Sequence, residues 1–346
     1  MAMDTQQVRG ASAVPARHPA PPRPDRVHII NGLPLTAIER KRFERAADGV
    51  DQRFITDPST RDNDVWGVEL PMGMRDEATV IIGNPPPEQV ADCRHLAWLQ
   101  TASAGVNAYE SDGVLPAGAM LSGASGALGQ SVSEHMFAMM WSLMKRLPRY
   151  RDLQGRSRWE GLGRSLSPVG AKVLLLGTGD LGSHFARLVK SVGARTIGVR
   201  RDSHKPAVGV DEMHGFGELD HLLPDADVVA MTLPAAANTH HLMDAHHLAL
   251  LKSTAILINA GRGDAVDCQA LATCLEQGRI WGAGLDVTEP EPLPPGHPLW
   301  KQERCQITPH VAGGTNLAVN ADRIVAIALE NLQRYMEGRP LRNRVR

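Results

Sequence analysis

Residues 171–186 read AKVLLLGTGDLGSHFA, and the order of residue types in that stretch decides the fold. Residues 173–176 are continuously apolar, the length and composition of a buried strand. Gly177, Gly179 and Gly182 follow in the spacing G-x-G-x-x-G, and a helical pattern continues beyond them. A strand, a glycine turn and a helix N-terminus in that order form the dinucleotide-binding fingerprint. The first glycine makes a tight turn, the second lets a pyrophosphate approach the backbone, and the third lets helix and strand pack closely. The first helical N–H groups, those of Asp180 and Leu181 among them, would meet the diphosphate at the positive end of the helix dipole. The fingerprint starts a whole domain's length into the chain, so another unit precedes it.

Downstream, apolar runs over 196–199, 228–232, 256–259, 282–286 and 306–308 alternate with helical patterns. With 173–176 they predict a doubly wound parallel sheet whose strand carboxyl ends face the ligand. Upstream, runs over 27–30, 78–82, 96–100 and 120–122, with helical spacing over 35–47, predict a first α/β unit. Residues 131–147 predict a long helix with Met136, Met139 and Met140 on its apolar face, Ser131 and Glu134 in capping-box spacing, and Pro148 as its stop. The methionines read as core filler. Residues 150–168 are polar and irregular with Trp159 as an anchor, and 316–336 predict a last helix. Residues 1–25, rich in Pro, Ala and Arg without apolar periodicity, read as a disordered tail.

Composition narrows the classes. A length of 346 residues fits two domains, and a hydrophobic content of 42% supplies ordinary cores. A net charge of -1 gives no general attraction to nucleic acid or to an acidic membrane, and 4% aromatics argues against base-stacking surfaces. Cys93, Cys268, Cys274 and Cys305 are scattered with no C-x-x-C pair, which suits reduced thiols in a cytoplasmic protein. No apolar run approaches the roughly twenty residues of a membrane span, and no signal-peptide core is visible.

In the fingerprint an acidic residue about twenty positions on binds the ribose hydroxyls of NAD. Here that strand tip reads Gly198-Val199-Arg200-Arg201-Asp202. A guanidinium at the tip pairs with a 2′-phosphate, which an acid would repel, so Arg200 and Arg201 favour NADP(H). Asp202 keeps NAD(H) open, as does reading the arginines as a solvated surface pair. Histidines 240, 241, 246 and 247 cluster in NTHHLMDAHH, but no cysteine or acidic ligand set accompanies them in sequence. They read as exposed turn and helix residues, with no metal expected.

Three further strand ends carry chemistry. Arg262 follows the run 256–259, Glu289 and Glu291 follow 282–286, and His310 follows 306–308. Reducing a carbonyl beside a dinucleotide needs a cation to polarise it, which a planar two-donor guanidinium supplies. It needs an acid for the carbonyl oxygen, such as histidine, and a carboxylate that orients the imidazole and favours its protonated form.

GTGDLG, NAGRG, LDVTEPEPLPPGHPLW and TPH, in this order and at these separations, resemble the D-isomer-specific 2-hydroxyacid dehydrogenases, which include glyoxylate/hydroxypyruvate reductases and phosphoglycerate dehydrogenase. The resemblance runs from about residue 27 to the C-terminus. It implies Arg262, Glu291 and His310 as the catalytic set, Glu291 rather than Glu289 being the carboxylate just before Pro292. It implies that backbone N–H groups of the 103–107 loop, at Ala104 and Gly105, bind the substrate carboxylate, although Asn107 stands where the family more often has Asp. It places Asp286 near the nicotinamide amide, Pro234 and Thr239 along the adenosine and pyrophosphate side, and Ala260 at the family's small residue. The implied architecture is a dinucleotide-binding Rossmann domain (123–310) inserted into a flavodoxin-like substrate domain (26–122 plus 311–346). A homodimer through the coenzyme domain is also implied, with the methionine-rich helix as one surface for it. The implied reaction is NADP(H)-dependent reduction of a small 2-oxo acid to the D-2-hydroxy acid. NAD-dependent oxidation of the hydroxy acid and a dinucleotide-sensing, corepressor-like scaffold are the alternatives. The related formate dehydrogenases carry glutamine where Glu291 stands.

Overall fold

A computed structural model describes residues 22–315 and 317–346. Most of the tail expected over 1–25 therefore lies outside the described residues, and Pro24–Arg26 forms a short 3-10 turn. The first sheet holds five parallel strands: β1 (His28–Asn31), β2 (Asp51–Phe54), β3 (Val80–Ile82), β4 (Trp98–Gln100) and β5 (Met120–Ser122). Their order is β2-β1-β3-β4-β5, that of a flavodoxin-like sheet. The second sheet holds seven: β6 (Lys172–Leu176), β7 (Arg195–Val199), β8 (Glu212–His214), β9 (Val228–Met231), β10 (Ile256–Asn259), β11 (Gly282–Leu285) and β12 (Cys305–Ile307). All its pairings are parallel, in the order β12-β11-β10-β9-β6-β7-β8. The strand order reverses between β6 and β9, so the crevice for a ligand opens at the end of β6.

The first sheet is covered by the chain's last helix, Ala318–Met336, whose Ile324, Val325, Ala328 and Leu332 pack on β1, β3 and β4. Trp98 of β4 is fully buried and stacks on Tyr335, ring centroids 5.0 Å apart. A buried polar network fixes that docking. Trp98 Nε1 donates to Ser122 Oγ (2.8 Å), and Gln100 Oε1 accepts from Ser122 Oγ and from Asn331 Nδ2 (2.7 Å each). Every group in it is satisfied, so it fixes helix register without leaving an unpaired dipole.

The long helix spans Gly129–Met144 and lays Met136, Met139, Met140 and Leu143 against β6, β9 and β10. Each fully buried side chain of this kind contributes about 1.5–3 kcal/mol over leaving it in water. The methionine face is thus interior to one chain, in line with its reading as core filler. The capping box expected at Ser131 does not form. The helix begins two residues earlier, so Ser131 lies inside its first turn, donates to Leu128 O (3.2 Å) and accepts from Asn320 Nδ2 (2.7 Å). Pro148 does not stop this helix. Arg146 turns the chain at φ 56, and Pro148 sits in the first turn of a new helix, Leu147–Gly155, where a missing N–H is tolerated. Trp159 anchors nothing and is fully exposed. The four cysteines are unpaired, and burial pushes the Cys93 thiol up to about 11. Among the described residues, no helix is long and apolar enough to cross a membrane.

Candidate active site

Loops at the carboxyl ends of both sheets line one cleft of about 610 Å³. Arg262, Glu291 and His310 all lie on it, with Ala104, Gly105, Leu181, Ala260 and Asp286.

Arg262 is aimed by its own loop. Asn259, at the end of β10, is fully buried. Its Oδ1 accepts the Gly261 N–H (3.0 Å) and its Nδ2 donates to Arg262 O (2.9 Å). One side-chain amide therefore brackets the turn that projects the guanidinium. Nη1 donates back to Gly261 O at 2.8 Å. The other amino group reaches the opposite sheet's loop: a Cβ on Gly105 would stand 2.0 Å from Nη2. That loop is tied back through its carbonyls, with Ser103 Oγ donating to Gly105 O (2.7 Å) and Ala124 N–H to Ser103 O (2.9 Å). Among the described residues the N–H groups of Ala104 and Gly105 have no hydrogen-bond partner. Two uncommitted amides beside a guanidinium on a cleft wall make an anion-binding arrangement.

His310 Nδ1 lies 2.6 Å from Glu291 Oε1, and the two side chains are 49% and 42% exposed. With Nδ1 held by the carboxylate, Nε2 is the nitrogen left for chemistry. The residue sits at φ 54, a left-handed conformation that costs a side chain roughly 1–3 kcal/mol. Asp286 sustains it. Its carbonyl accepts the His310 N–H (2.8 Å), and its buried carboxylate accepts the Val311 and Ala312 N–H groups (3.0 Å each) and the Thr308 hydroxyl (2.6 Å). Because Thr308 gives its proton to Asp286, it accepts from His135 Nε2 at 3.0 Å, which fixes that ring's tautomer. His135 thus buttresses the histidine loop from inside the long helix. The positioning groups Asn259, Thr308 and His135 carry no motif that would single them out.

The glycine turn has the shape its spacing implies. Gly177 is at φ 97, nothing lies within 4 Å of a Cβ built on Gly179, and one on Gly182 would stand 2.1 Å from Gly177 O. The helix Asp180–Ser191 begins at Gly179 with no side-chain cap, leaving its first donors for a ligand. This is an open cradle that fits a dinucleotide's pyrophosphate. At the tip of β7, neither Arg200 nor the exposed Arg201 has a side-chain partner among the described residues, while Asp202 lies 3.5 Å from Lys205 Nζ. Thr239, largely buried, donates to Pro234 O (3.1 Å) and accepts the Ala236 N–H (3.0 Å), so it shapes the loop beside the crevice.

Neither Leu70–Gly73 nor Trp159 lines the cleft mouth. Leu70 is buried in the core beneath, and the wall is Asp64, Val65 and Trp66. Thr315 fastens this wall, its N–H donating to Asp64 O (3.1 Å) and its hydroxyl to Asn63 O. The histidines of 238–247 also gain what the local sequence lacks. Glu289 reaches His240 and His241, and Asp220 reaches His246 and His247.

Residues 137–312, about half of the chain, match the NAD-binding domain of the D-isomer specific 2-hydroxyacid dehydrogenases. The chain belongs to that family. It is 32% identical to glyoxylate/hydroxypyruvate reductase B of Yersinia pestis over 250 residues, 70% of this chain and 76% of the relative. A solved family protein from Aeromonas salmonicida subsp. salmonicida A449 shares 30% identity and superposes at a TM-score of 0.76, covering 93% of this chain and 99% of its own. A D-isomer specific 2-hydroxyacid dehydrogenase from Xanthobacter autotrophicus Py2, solved with NADPH and MES, shares 27% identity at a TM-score of 0.72, covering 92% and 98%. The protein is therefore an oxidoreductase of the NAD(P)-dependent 2-hydroxyacid class, built on two parallel-sheet α/β units.

Proposed function

We propose that this dehydrogenase reduces a small 2-oxo acid of the glyoxylate or hydroxypyruvate kind to the D-2-hydroxy acid, with NADPH preferred over NADH. The observation that carries the reading is the meeting, on one cleft, of Arg262 with the free Ala104 and Gly105 amides and of His310 with Glu291.

The reduced nicotinamide cofactor, bound along the Gly177–Gly182 turn, supplies the hydride. The substrate carboxylate accepts from the Ala104 and Gly105 amides, and Arg262 spans carboxylate and carbonyl, polarising C=O as charge builds on oxygen. His310 Nε2 delivers the proton to that oxygen, and Glu291 on Nδ1 stabilises the imidazolium before the transfer. Asp286, Thr308 and His135 hold the histidine loop. Arg200 and Arg201, without carboxylate partners among the described residues, take the 2′-phosphate, while Asp202 lies 3.5 Å from Lys205 Nζ. In this reading 26–122 plus 311–346 carry the substrate amides, and 123–310 carry the cofactor. The chain pairs with a second copy through the coenzyme domain.

Consumption of NADPH absorbance with glyoxylate, hydroxypyruvate and longer 2-oxo acids tests the reaction class. His310→Gln is expected to lower turnover by roughly two to four orders of magnitude with cofactor affinity kept. Turnover close to that of the parent would remove His310 from the mechanism.

A further inference from the structure

Outside the cleft, His240 and His241 stack with ring centroids 4.0 Å apart and planes 20° apart. Both turn Nε2 toward one carboxylate: His240 lies 3.5 Å from Glu289 Oε1 and His241 lies 2.6 Å from Oε2. The two imidazoles come from the loop beside the cofactor crevice, and Glu289 comes from the loop after β11, two residues before Glu291. Each residue offers one ligand atom, and the three lie within 4.8 Å of one another.

We propose that His240, His241 and Glu289 form a site for a divalent transition-metal ion such as Zn²⁺ or Co²⁺, joining the crevice loop to the loop that carries Glu291. Two imidazole nitrogens and one carboxylate oxygen match zinc and its neighbours, where Mg²⁺ and Ca²⁺ call for oxygen alone. Bonds of about 2.0–2.2 Å put neighbouring ligand atoms roughly 3.4 Å apart, so the His241–Glu289 pair opens slightly from 2.6 Å while any wider pair closes around a common centre. That movement falls on side-chain ends 37–51% exposed and free to adjust. The backbone beneath them is already set: His241 is held at φ 47 by its N–H to Asp264 O (2.7 Å). Three protein ligands leave the fourth position to water, the arrangement of an open site.

A second group, Asp220 with His246 and His247, provides the internal comparison. His246 and Asp220 are 62% and 58% exposed, and His247 is shared with Asp244 at 3.1 Å, so that group is looser and divided between two carboxylates.

The test is titration of the untagged full-length protein with Co²⁺, followed by its visible absorption, and with Zn²⁺ by calorimetry, both without substrate or cofactor. One saturable ion per chain is expected. His240→Gln, His241→Gln and Glu289→Gln should each weaken it by roughly tenfold or more, while Asp220→Asn and His246→Gln leave it unchanged. Circular dichroism establishes the fold of each variant, and the exposed His240→Gln carries the test if Glu289→Gln fails to fold. No saturable binding, binding indifferent to His240→Gln, or binding lost in Asp220→Asn would each overturn the assignment. None of these readouts depends on the proposed reaction.

Discussion

Gly105→Ala separates the chemistry of the cleft from the stability of the fold. The added methyl would stand 2.0 Å from Arg262 Nη2, with the guanidinium carbon at 3.2 Å. Ordinary contact begins near 3.5 Å, so the guanidinium must retreat by about 1.5 Å. Gly105 has no left-handed backbone, and the clashing atom is the far end of a long side chain, so the fold accommodates the change. The reacting geometry does not. A displacement of this size at a positioning group costs about 100-fold, equivalent to about 2.7 kcal/mol of transition-state stabilisation. Steady-state kinetics with NADPH and the preferred 2-oxo acid should show kcat/KM down by about that factor. Cofactor affinity and melting temperature should stay close to the parent's. A kcat/KM within threefold of the parent would mean that Arg262 does not work from the position described.

Gly263→Ala should behave in the opposite way. Its Cβ would stand 1.9 Å from Thr288 O, a backbone atom that cannot swing aside, so about 1–3 kcal/mol of stability should be lost in chemical denaturation. Arg200→Asp should move the NADPH/NADH ratio of kcat/KM toward NADH, and a ratio that stays put would refute the assignment of the β7 tip. Asp211, bonded to Lys190 and to the Thr196 N–H, has its carboxyl held down at about 2. A depressed carboxyl stabilises the fold above its unfolded value near 3.8 and loses that contribution as pH falls through about 2. Asp211→Asn should therefore melt below the parent at neutral pH, with the gap closing between pH 4 and pH 2; a constant gap would assign the effect to packing.

The central strands were legible because helices cover both faces of each sheet, so their sequences read as unbroken apolar runs. β2 (DQRF) and β8 (EMH) were not, because each lies at a sheet edge and needs only main-chain pairing on one side. The start of the long helix was misplaced because Ser131 and Glu134 imitate a cap, and no local pattern shows that Asn320, 189 positions away, claims the hydroxyl. In the site, residue types at strand ends pointed to Arg262, His310 and the pair Glu289 and Glu291, and only the family resemblance singled out Glu291. The contact of Arg262 with Gly105, the grip of Asp286 on the histidine loop and the Glu289 carboxylate between two histidines all join distant segments. Each depends on tertiary approach rather than on periodicity.

The grip of Asp286 also decides which parts of the cleft share a frame. Its main chain continues β11, and through Thr308, Val311 and Ala312 it binds the histidine to the sheet that bears the glycine turn. Only after Ala312 does the chain leave, through the Gly314 carbonyl bonded to Asn320 and the Thr315 tether to Asp64, for the helix that covers the other sheet. Any rocking of one sheet against the other would thus carry His310 and the glycine turn together. Only the Ala104–Gly105 loop would change distance. In the proposed reaction the spacing of His310 from the glycine turn would then be set within one sheet, and closure would adjust only its distance from the Ala104–Gly105 loop.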